Sequence, residues 1–474
     1  MKNKVLVYTT TISPRIQYIF DFILNKFSGL SYEFTSDKTY FIQSVLPKIN
    51  YSTEKFSDEI HLVPDVFMFE NQISDKVKPE NLNPVGKCFY ALSRYEEYLP
   101  HEKDRHGRFS GKGKVYKTPF VDQWILEFQQ ELKHKYPLLE FKKRGFELMI
   151  TCDVDQAWKY KHKGLKRTLG AFLRDLIRLD FGEFKTRSLV ISGKNADAFD
   201  RFGFFKSLLR QAQDDQLRQA QDDQLRQAQD DQLRQAQDDR LRQAQDDQLR
   251  QAQDSNRIQN NYAEHHGEPV EPLVRMIFFW LMADYGQFDK NNPVNNIHFQ
   301  NKIREVSGWA ECGIHPSYAS NLNPEKLKVE IERLEKIIGK KITKSRHHYL
   351  KLNFPETYQN LIANGIKEDY TLAYADETGF RAGTCTPFFW YDLSKEKQTE
   401  LKIHPFCAMD VAMRNYMKLS IPEATAELQR LKSEIRKVNG QMIVLFHNSN
   451  FHGEWEGWGK VFESLVEGGA HEPG

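Results

Sequence analysis

The chain of 474 residues is long enough for two domains, and its apolar fraction of 40% allows each of them a hydrophobic core. A net charge of +2 without a basic block gives no indication of nucleic-acid binding or of a membrane partner. Five scattered cysteines, none of them in a Cys-x-x-Cys pair, indicate reduced thiols and exclude a disulfide framework or a zinc ribbon. The longest apolar stretch, Met276–Met282, is too short to span a membrane. We therefore expect a soluble, cytoplasmic protein.

The first 140 residues predict a smaller mixed α/β domain of unknown role. A strand over Val5–Thr9 precedes a helix whose apolar residues within Ile16–Phe27 fall on one face. Alternating and often broken patterns over residues 31–79 then predict short strands. A charged stretch, Glu140–Gly145, marks the boundary to the next domain.

The segment Phe89–Tyr98 predicts a helix rich in aromatic residues. Its charged residues Arg94, Glu96 and Glu97 could bind a ligand, but a solvated helix face is the more common role of such a group. We therefore predict that these charges face solvent.

The second domain, predicted for residues 146–468, begins with the stretch Glu147–Asp155. Its short apolar run, Leu148–Ile150, is typical of a buried parallel strand. Side chains two positions apart share one face of an extended backbone, so Asp153 and Asp155 can converge on one point. Two like charges at that spacing need a metal ion or a shared proton. The alternative is a helix N-cap followed by a solvated aspartate.

A repeat of eight residues interrupts the second domain at residues 209–256. It places a leucine at every eighth position from Leu209 to Leu249. That period advances about 80° around a helix at each repeat, so the leucines form no continuous seam. We predict a solvated helical or partly disordered insertion of low complexity that lies outside the site. The alternative is a coiled-coil arm, and the oligomeric state stays open.

After the repeats, the order of strand, polar residue, helix and strand recurs to the end of the chain. Strands are predicted at Val274–Met282, Gly308–His315 and Met442–Phe446, and capped helices at Asn323–Gly339 and Ser420–Gly440. This order is typical of a parallel α/β sheet or barrel, whose reactive groups collect at the carboxyl ends of the strands. The polar residues at such ends are Asp153, Asp155, His315, Arg346 and His447.

Carboxylates and imidazoles in this arrangement suit a divalent metal ion of the zinc class with a water molecule at an open position. Such an ion lowers the pKa of its water from about 16 towards 7 and polarises a carbonyl oxygen. A carboxylate off the metal could then take the proton of the water, and a second histidine could protonate the leaving group. The residues therefore predict the hydrolysis of an amide or an ester.

Four segments resemble, in order, the motifs of the polysaccharide deacetylase superfamily, the NodB-homology or carbohydrate esterase 4 proteins. The segments are Thr151–Asp155, Gly313–Tyr318, Ser345–Tyr349 and Leu445–His447. The resemblance extends to a divergent branch of Bacteroidetes proteins whose extra N-terminal α/β domain has a segment similar to Ser93–Tyr98. It implies a distorted (β/α) barrel that removes N- or O-acetyl groups from sugars, with a metal ion held by one aspartate and two histidines.

The resemblance also implies roles for single residues. Asp153 resembles the catalytic base of the family, and Asp155 and His315 resemble metal ligands; the ion would be zinc, with cobalt or nickel as alternatives. The two aspartates are usually adjacent in the family, whereas Val154 separates them here, so their two roles can be exchanged.

A second metal histidine is expected at position 319, where this chain has Ala319. His347, His348 or a water molecule would then complete the ligand set. Packing or surface positions are nevertheless the preferred interpretation for these two histidines.

Arg346 resembles the arginine that orients the base, and Tyr349 lies near the backbone N–H that would stabilise the tetrahedral oxyanion. His447 resembles the catalytic acid, with a structural histidine beneath a turn as the alternative. Arg381 suits a structural ion pair and a substrate contact equally well.

Residues and resemblance together predict a metal-dependent carbohydrate deacetylase, a hydrolase that acts on carbon–nitrogen bonds other than peptide bonds, in surface polysaccharide metabolism. A cytoplasmic location favours a nucleotide-linked, lipid-linked or small glycan as substrate. The alternative is a catalytically inactive glycan-binding protein that keeps the barrel without the metal ion.

Overall fold

The computed structural model of the protein describes residues 3–111, 115–214 and 274–467, together with the single positions 218 and 229. The predicted octapeptide insertion lies outside these residues except for its first positions, so its solvated state and the coiled-coil alternative stay predictions. Those first positions belong to a helix over residues 202–214 in which Leu209 and Ala212 are buried. No helix within the described ranges is both long enough and apolar enough to cross a membrane.

The first region contains a sheet of four parallel strands. Its strands and α-helices are β1 Lys4–Tyr8, α1 Pro14–Phe20, β2 Ser31–Thr35, α2 Lys38–Gln43, β3 Lys48–Tyr51, β4 Ile60–Leu62, α3 Pro84–Leu92 and α4 Phe120–Lys135. The strand order is β2-β1-β3-β4. Ser13 caps α1, which continues as a π-helical segment over Asp21–Phe27, and the predicted apolar stripe of this helix is buried.

The second region is built on a sheet of nine strands. Its strands are β5 Glu147–Val154, β6 Arg275–Leu281, β7 Glu311–His315, β8 Lys344–Ser345, β9 Glu368–Asp369, β10 Phe388–Asp392, β11 Lys397–Ile403, β12 Ala408–Met409 and β13 Gln441–His447. Its α-helices are α5 Leu165–Ile177, α6 Phe181–Ile191, α7 over 202–214, α8 Ile297–Ser307, α9 Pro324–Ile338, α10 Glu356–Ala363, α11 Ile421–Lys437 and α12 Gly459–Glu467.

The strands follow the order β10-β11-β9-β8-β7-β6-β5-β13-β12, and all neighbours are parallel except β10 and β11. This confirms the predicted parallel α/β arrangement. The register pairs Asp153 of β5 with His447 of β13, and Leu281 of β6 with His315 of β7. The polar residues at these strand ends therefore lie along one edge of the sheet.

The segment of residues 397–409 contacts two strands, β9 and β13, that lie far apart in the strand order of the sheet. Within it, β11 pairs with β9 and β12 pairs with β13. Between these strands, the N–H of Phe406 donates to the carbonyl of Leu372, and the N–H of Cys407 donates to the carbonyl of Ile443. This one segment therefore connects β9 to β13 by hydrogen bonds.

A buried ion cluster joins the two regions. Glu97 accepts hydrogen bonds from Arg94 and Arg381, and all three residues are at most 6% exposed. Arg94 also donates to the carbonyl of Arg381 and to the carboxylate of Glu96. The prediction that Arg94 and Glu97 lie on a solvated helix face is therefore wrong, because these charges pair across the junction. Of the two roles left open for Arg381, the structure shows the ion pair.

Candidate metal centre

Asp155, His315 and His348 bring three potential metal-ligand atoms together beyond the carboxyl ends of β5, β7 and β8. The three atoms all lie within 4.8 Å of one another. Oδ1 of Asp155 is 3.4 Å from Nε2 of His315 and 3.5 Å from Nε2 of His348. Side chains at or just after the ends of three neighbouring strands thus converge on one point.

The donor atoms of this group fit a divalent ion. Oδ1 of Asp155 and Nε2 of His315 are buried and have no hydrogen-bond partner. Polar atoms in that state are unfavourable unless a further group satisfies them. One carboxylate and two imidazoles are a donor set that binds zinc-class ions and leaves a position open.

The second nitrogen of each imidazole is held by another group. Nδ1 of His315 contacts the carbonyl of Arg346, and Nδ1 of His348 lies 2.9 Å from Oδ1 of Asp289. The same carboxylate accepts a hydrogen bond from the backbone N–H of Ala319. Asp289 therefore links Ala319, at the position where a second metal histidine was expected, to His348. His348 supplies the second imidazole nitrogen from the end of the next strand, β8. Such outer contacts fix the orientation of metal-binding imidazoles.

The charges of the group attract one another. Burial raises the pKa of Asp155, but the imidazoles of His348, His315 and His447 outweigh burial and hold that pKa well below its usual range. Burial lowers the pKa of His348, but the carboxylates of Asp155 and Asp289 raise it to about 10. The carboxylate of Asp155 is therefore ionised and faces positive charge.

Asp153 lies beside this group and is held by an arginine. Its Oδ1 is 3.3 Å from a guanidinium nitrogen of Arg346, and its Oδ2 is 3.7 Å from Nε2 of His315. Arg346 is fully buried and also donates to the hydroxyl of Thr151 and the carbonyl of Tyr370. The guanidinium therefore fixes the position of the carboxylate.

His447 faces the same centre and forms a pair with Asp410. Its Nδ1 is 2.8 Å from Oδ1 of Asp410, and its backbone N–H donates to Oδ2 of the same carboxylate. Burial lowers the pKa of His447, but Asp410 raises it to about 9. The imidazole is therefore protonated at neutral pH and can donate a proton.

These groups line a cavity of about 250 Å³. Its walls are formed by Arg108, Asp153, Asp155, His315, His348, Tyr349, Leu350, Met409, Val411, Tyr416, Leu445, His447, Ser449 and Asn450. Acids and imidazoles form one side, and apolar and aromatic side chains form much of the rest. This mixture is typical of a site for a small organic ligand.

One residue of the cavity wall comes from the first region. Arg108 donates to the carbonyl of Tyr349 and to the hydroxyl of Tyr416, at 2.9 and 3.1 Å, and forms an ion pair with Asp104. The backbone of Tyr349 has a φ of 63°, a left-handed conformation that is uncommon for a tyrosine. Arg108 thus stabilises an unfavourable backbone conformation at the site.

A cluster of aromatic rings packs around Tyr349, which lines the cavity. The rings of Phe288 and Tyr318 have centroids 4.3 Å apart, and the ring of His106 lies 4.8 Å from that of Tyr349. Tyr318 and Tyr349 meet edge to face at 5.3 Å. These rings offer apolar area together with polar edges next to the acids.

Comparisons with known proteins give two matches, each to part of the chain. A family of unknown function, DUF7033, matches residues 5–137. Among solved structures, a "putative polysaccharide deacetylase from Mycobacterium smegmatis" aligns with 69% of this chain and 85% of that chain, at 12% identity and a TM-score of 0.34. None of the curated proteins matches the chain. Similarity of this degree assigns no function, so the function has to be inferred from the site.

All six residues to which the sequence assigns site roles line this cavity or contact it. Asp153, Asp155, His315, Tyr349 and His447 line it directly, and Arg346 contacts Asp153 from behind. Of the two histidines left open as ligands, His348 joins the group. His347 is buried elsewhere, beside Asn321, and burial together with the charge of His315 lowers its pKa to about 3.

Three contributing residues are absent from the sequence-based set. Asp289 follows β6 after a short turn, so the rule of strand ends could have found it. Asp410 follows β12, a strand of two residues without a sequence pattern. Arg108 lies in a polar loop of the first region, and no local signal connects that loop to the site.

Proposed function

We propose that this protein is a metal-dependent hydrolase that removes an acetyl group from an N-acetylated or O-acetylated sugar. One observation carries the proposal. A group of three potential metal ligands, a carboxylate held by an arginine and a protonated imidazole held by a carboxylate all face one cavity. Water-dependent cleavage of an acyl bond needs these three functions together.

Asp155, His315 and His348 would hold the ion, because their ligand atoms converge and two of them have no other partner. An ion bound there would polarise the acyl carbonyl and lower the pKa of a water molecule. The geometry thus favours Asp155 as the ligand and Asp153 as the base, two roles that the sequence left exchangeable.

The residues around the ion would move two protons. Asp153 takes a proton from the attacking water, while the guanidinium of Arg346 holds the carboxylate in place. The oxygen of that water bonds to the acyl carbon. His447 then gives its proton to the departing nitrogen or oxygen as the bond from that atom to the acyl carbon breaks, and Asp410 stabilises the imidazolium beforehand. The products are acetate and the free amine or hydroxyl of the sugar.

The surroundings of the site support a sugar as the acyl carrier. A cavity of about 250 Å³ accommodates one acylated sugar unit. The ring of Tyr349 lines it, where the apolar face of a pyranose can pack, and Tyr318 packs against that ring in turn. The sequence motifs that resemble those of polysaccharide deacetylases contain the same acids and imidazoles.

The fold proposed to carry this site is a distorted (β/α) barrel. Residues 397–409 bond to β9 on one side and to β13 on the other, which would close the parallel strands into a ring. The carboxyl ends of a closed ring would surround the cavity, as in barrel enzymes generally.

The decisive experiment combines metal analysis with acetate release. The purified full chain, supplied with zinc, should retain about one equivalent of metal per chain, as expected for a site with three protein ligands. The double variant Asp155→Ala/His348→Ala should retain none, whereas a His134→Gln control, exposed on α4, should match the unaltered protein.

The second arm measures acetate released from N-acetylglucosamine oligomers. Asp153→Asn should keep the metal and lose turnover by about 10²–10⁴-fold, because the base is lost while the ligands stay. Asp284→Asn, an exposed aspartate after β6, serves as its control. Metal retention without acetate release from any acetylated sugar would remove the proposed reaction, and a site that retains no metal would leave the glycan-binding alternative. Unchanged turnover in Asp153→Asn would remove the base assignment.

A further inference from the structure

The pair of helices α5 and α6, residues 165–191 and here called the α5–α6 hairpin, turns its apolar side chains outward. Among the described residues, exposed large apolar side chains are most concentrated on this hairpin. They are Leu165, Leu169, Leu173, Leu176, Ile177, Leu179, Phe181, Phe184 and Ile191. Leu165 and Ile177 are 76% and 80% exposed. On α5 the leucines recur at helical spacing, so they form a continuous stripe on one face.

The side of α5 that faces α6 contributes an ion pair and a single aromatic contact, Phe172 with Phe184. Within α5, which the structure describes in full, Asp175 is the only buried residue. It pairs with Arg187 of α6 at 2.7 Å, and both side chains are nearly inaccessible to solvent. Arg167 donates to the carbonyl of Asn291 at 3.0 Å. The hairpin is therefore held in place by polar contacts, and its leucines contribute little to the core.

The hairpin is also strongly basic. Residues 161–194 contain nine Lys and Arg against three Asp and Glu, which is a formal charge of 9 − 3 = +6, while the whole chain carries only +2. One of the three acids, Asp175, is already neutralised inside the hairpin. Lys166, Arg178 and Lys185 are exposed beside the apolar stripe. An apolar face with exposed cations near it is complementary to a surface that has anionic groups on the outside and an apolar layer beneath them.

We propose that the α5–α6 hairpin binds the surface of an anionic lipid bilayer, with its leucines among the acyl chains and its basic residues at the headgroups. Amphipathic helices with Leu and Phe on one face and Lys and Arg beside it lie in the interface plane in this way. The 13 residues of α5 and the 11 of α6 are too few to span a bilayer. The proposal does not depend on the proposed function.

The attachment of the hairpin gives this contact an orientation. The loop before α5 is anchored where the backbone N–H groups of Ala157 and Trp158 donate to Asn292. Arg167 binds the neighbouring Asn291. Both asparagines follow β6, so the hairpin is fixed at the carboxyl end of the sheet, the end that carries the cavity.

The test is co-sedimentation of the full chain with vesicles of phosphatidylcholine alone or mixed with phosphatidylglycerol. The protein should partition to the mixed vesicles, and binding should weaken as salt is raised. Leu169→Gln/Leu173→Gln/Leu176→Gln should reduce partitioning about tenfold or more, because the apolar contribution is lost. Gln preserves helix propensity, so the hairpin should stay folded.

A control replaces three apolar residues elsewhere that are more exposed than these leucines, Val45→Gln/Val66→Gln/Leu138→Gln. It should bind vesicles as the unaltered chain does. A second pair of variants tests the charge. Lys166→Gln/Arg178→Gln/Lys185→Gln should lose binding to mixed vesicles, whereas Lys55→Gln/Lys328→Gln/Lys340→Gln should keep it.

Three results would overturn the proposal. The first is no binding of the unaltered chain to mixed vesicles. If the unaltered chain is then an oligomer in solution and the leucine variant is a monomer, the apolar face binds a second copy of the chain. The second is equal binding by the leucine variant and its control. The third is binding that appears only after residues 215–273 are deleted, which would show that the chain itself covers the face.

Discussion

The candidate metal centre and the α5–α6 hairpin both follow β5, and they depart from the usual burial of side chains in opposite directions. The centre buries charge: Asp153, His315 and Arg346 are at most 2% exposed. The hairpin exposes Leu165 and Ile177. Buried charge and clustered exposed apolar area are each unfavourable in isolation, so each indicates that something outside the protein completes the region. We propose an ion and a substrate for the centre, and a lipid surface for the hairpin.

The largest effect should come from removing the proton donor of the centre. We expect His447→Gln to lower acetate release by about 10²–10⁴-fold, because the amine of the sugar leaves slowly unless its nitrogen is protonated. The variant should keep its fold by circular dichroism but unfold at a lower temperature, because the buried carboxylate of Asp410 loses its partner. Equal acetate release in His447→Gln would show that the pair with Asp410 is merely structural.

Buried charge outside the centre should affect stability instead of catalysis. Glu97→Gln leaves Arg94 and Arg381 without their shared carboxylate, and we expect a loss of about 3–5 kcal/mol in the free energy of unfolding. Urea denaturation measures it, with the exposed Glu127→Gln on α4 as control. A loss below about 1 kcal/mol would mean that solvent reaches the cluster.

Two leucines, one buried and one exposed, test whether the apolar face of α5 is uncovered in the folded chain. Leu334 of α9 is fully buried, so Leu334→Ala should lower the free energy of unfolding by about 2–5 kcal/mol. Leu173 of α5 is exposed, and Leu173→Ala should change it by no more than about 0.5 kcal/mol. If both substitutions destabilise the chain alike, the apolar face of α5 is covered in the folded protein.

The smallest effect concerns pH. Activity should fall as pH rises through about 9, because His447 then loses the proton that Asp410 stabilises. The pKa of His447 in the folded chain lies above its usual value of 6.5. Protonation of His447 therefore also stabilises the fold. This stabilisation is complete below pH 6.5 and is lost as the pH rises through about 9. Asp410→Asn should move the falling limb of the pH–rate profile to lower pH; an unmoved limb would assign it to another group.

Much of the centre could be predicted because parallel strands bring their carboxyl ends to one edge. Short apolar runs identified β5, β6 and β13, and the polar residues after β5 and β13 pair directly in register. His348 was harder to choose over His347, because adjacent residues after a strand of two residues give no signal of which side chain turns inward. Asp410 was missed for the same reason.

Periodicity was least informative about what covers a helix face. The apolar residues of α9 and of α5 both recur at helical spacing, yet the apolar face of α9 is buried and that of α5 is exposed. Arg94 and Glu97 show the reverse case, because a charged pattern suggested solvent where the folded chain supplies Arg381 from 284 positions further along. Only the packing of distant segments decides such cases.

The loop that carries Arg108 has a practical consequence. Its guanidinium binds Tyr349 and Tyr416, which belong to the second region of the molecule. A chain shortened to begin after residue 140 would keep every acid and imidazole of the centre and yet lack one residue of the cavity wall. Exchanging residues 104–109 between homologues is therefore the route we would choose to change which ligand the cavity accepts.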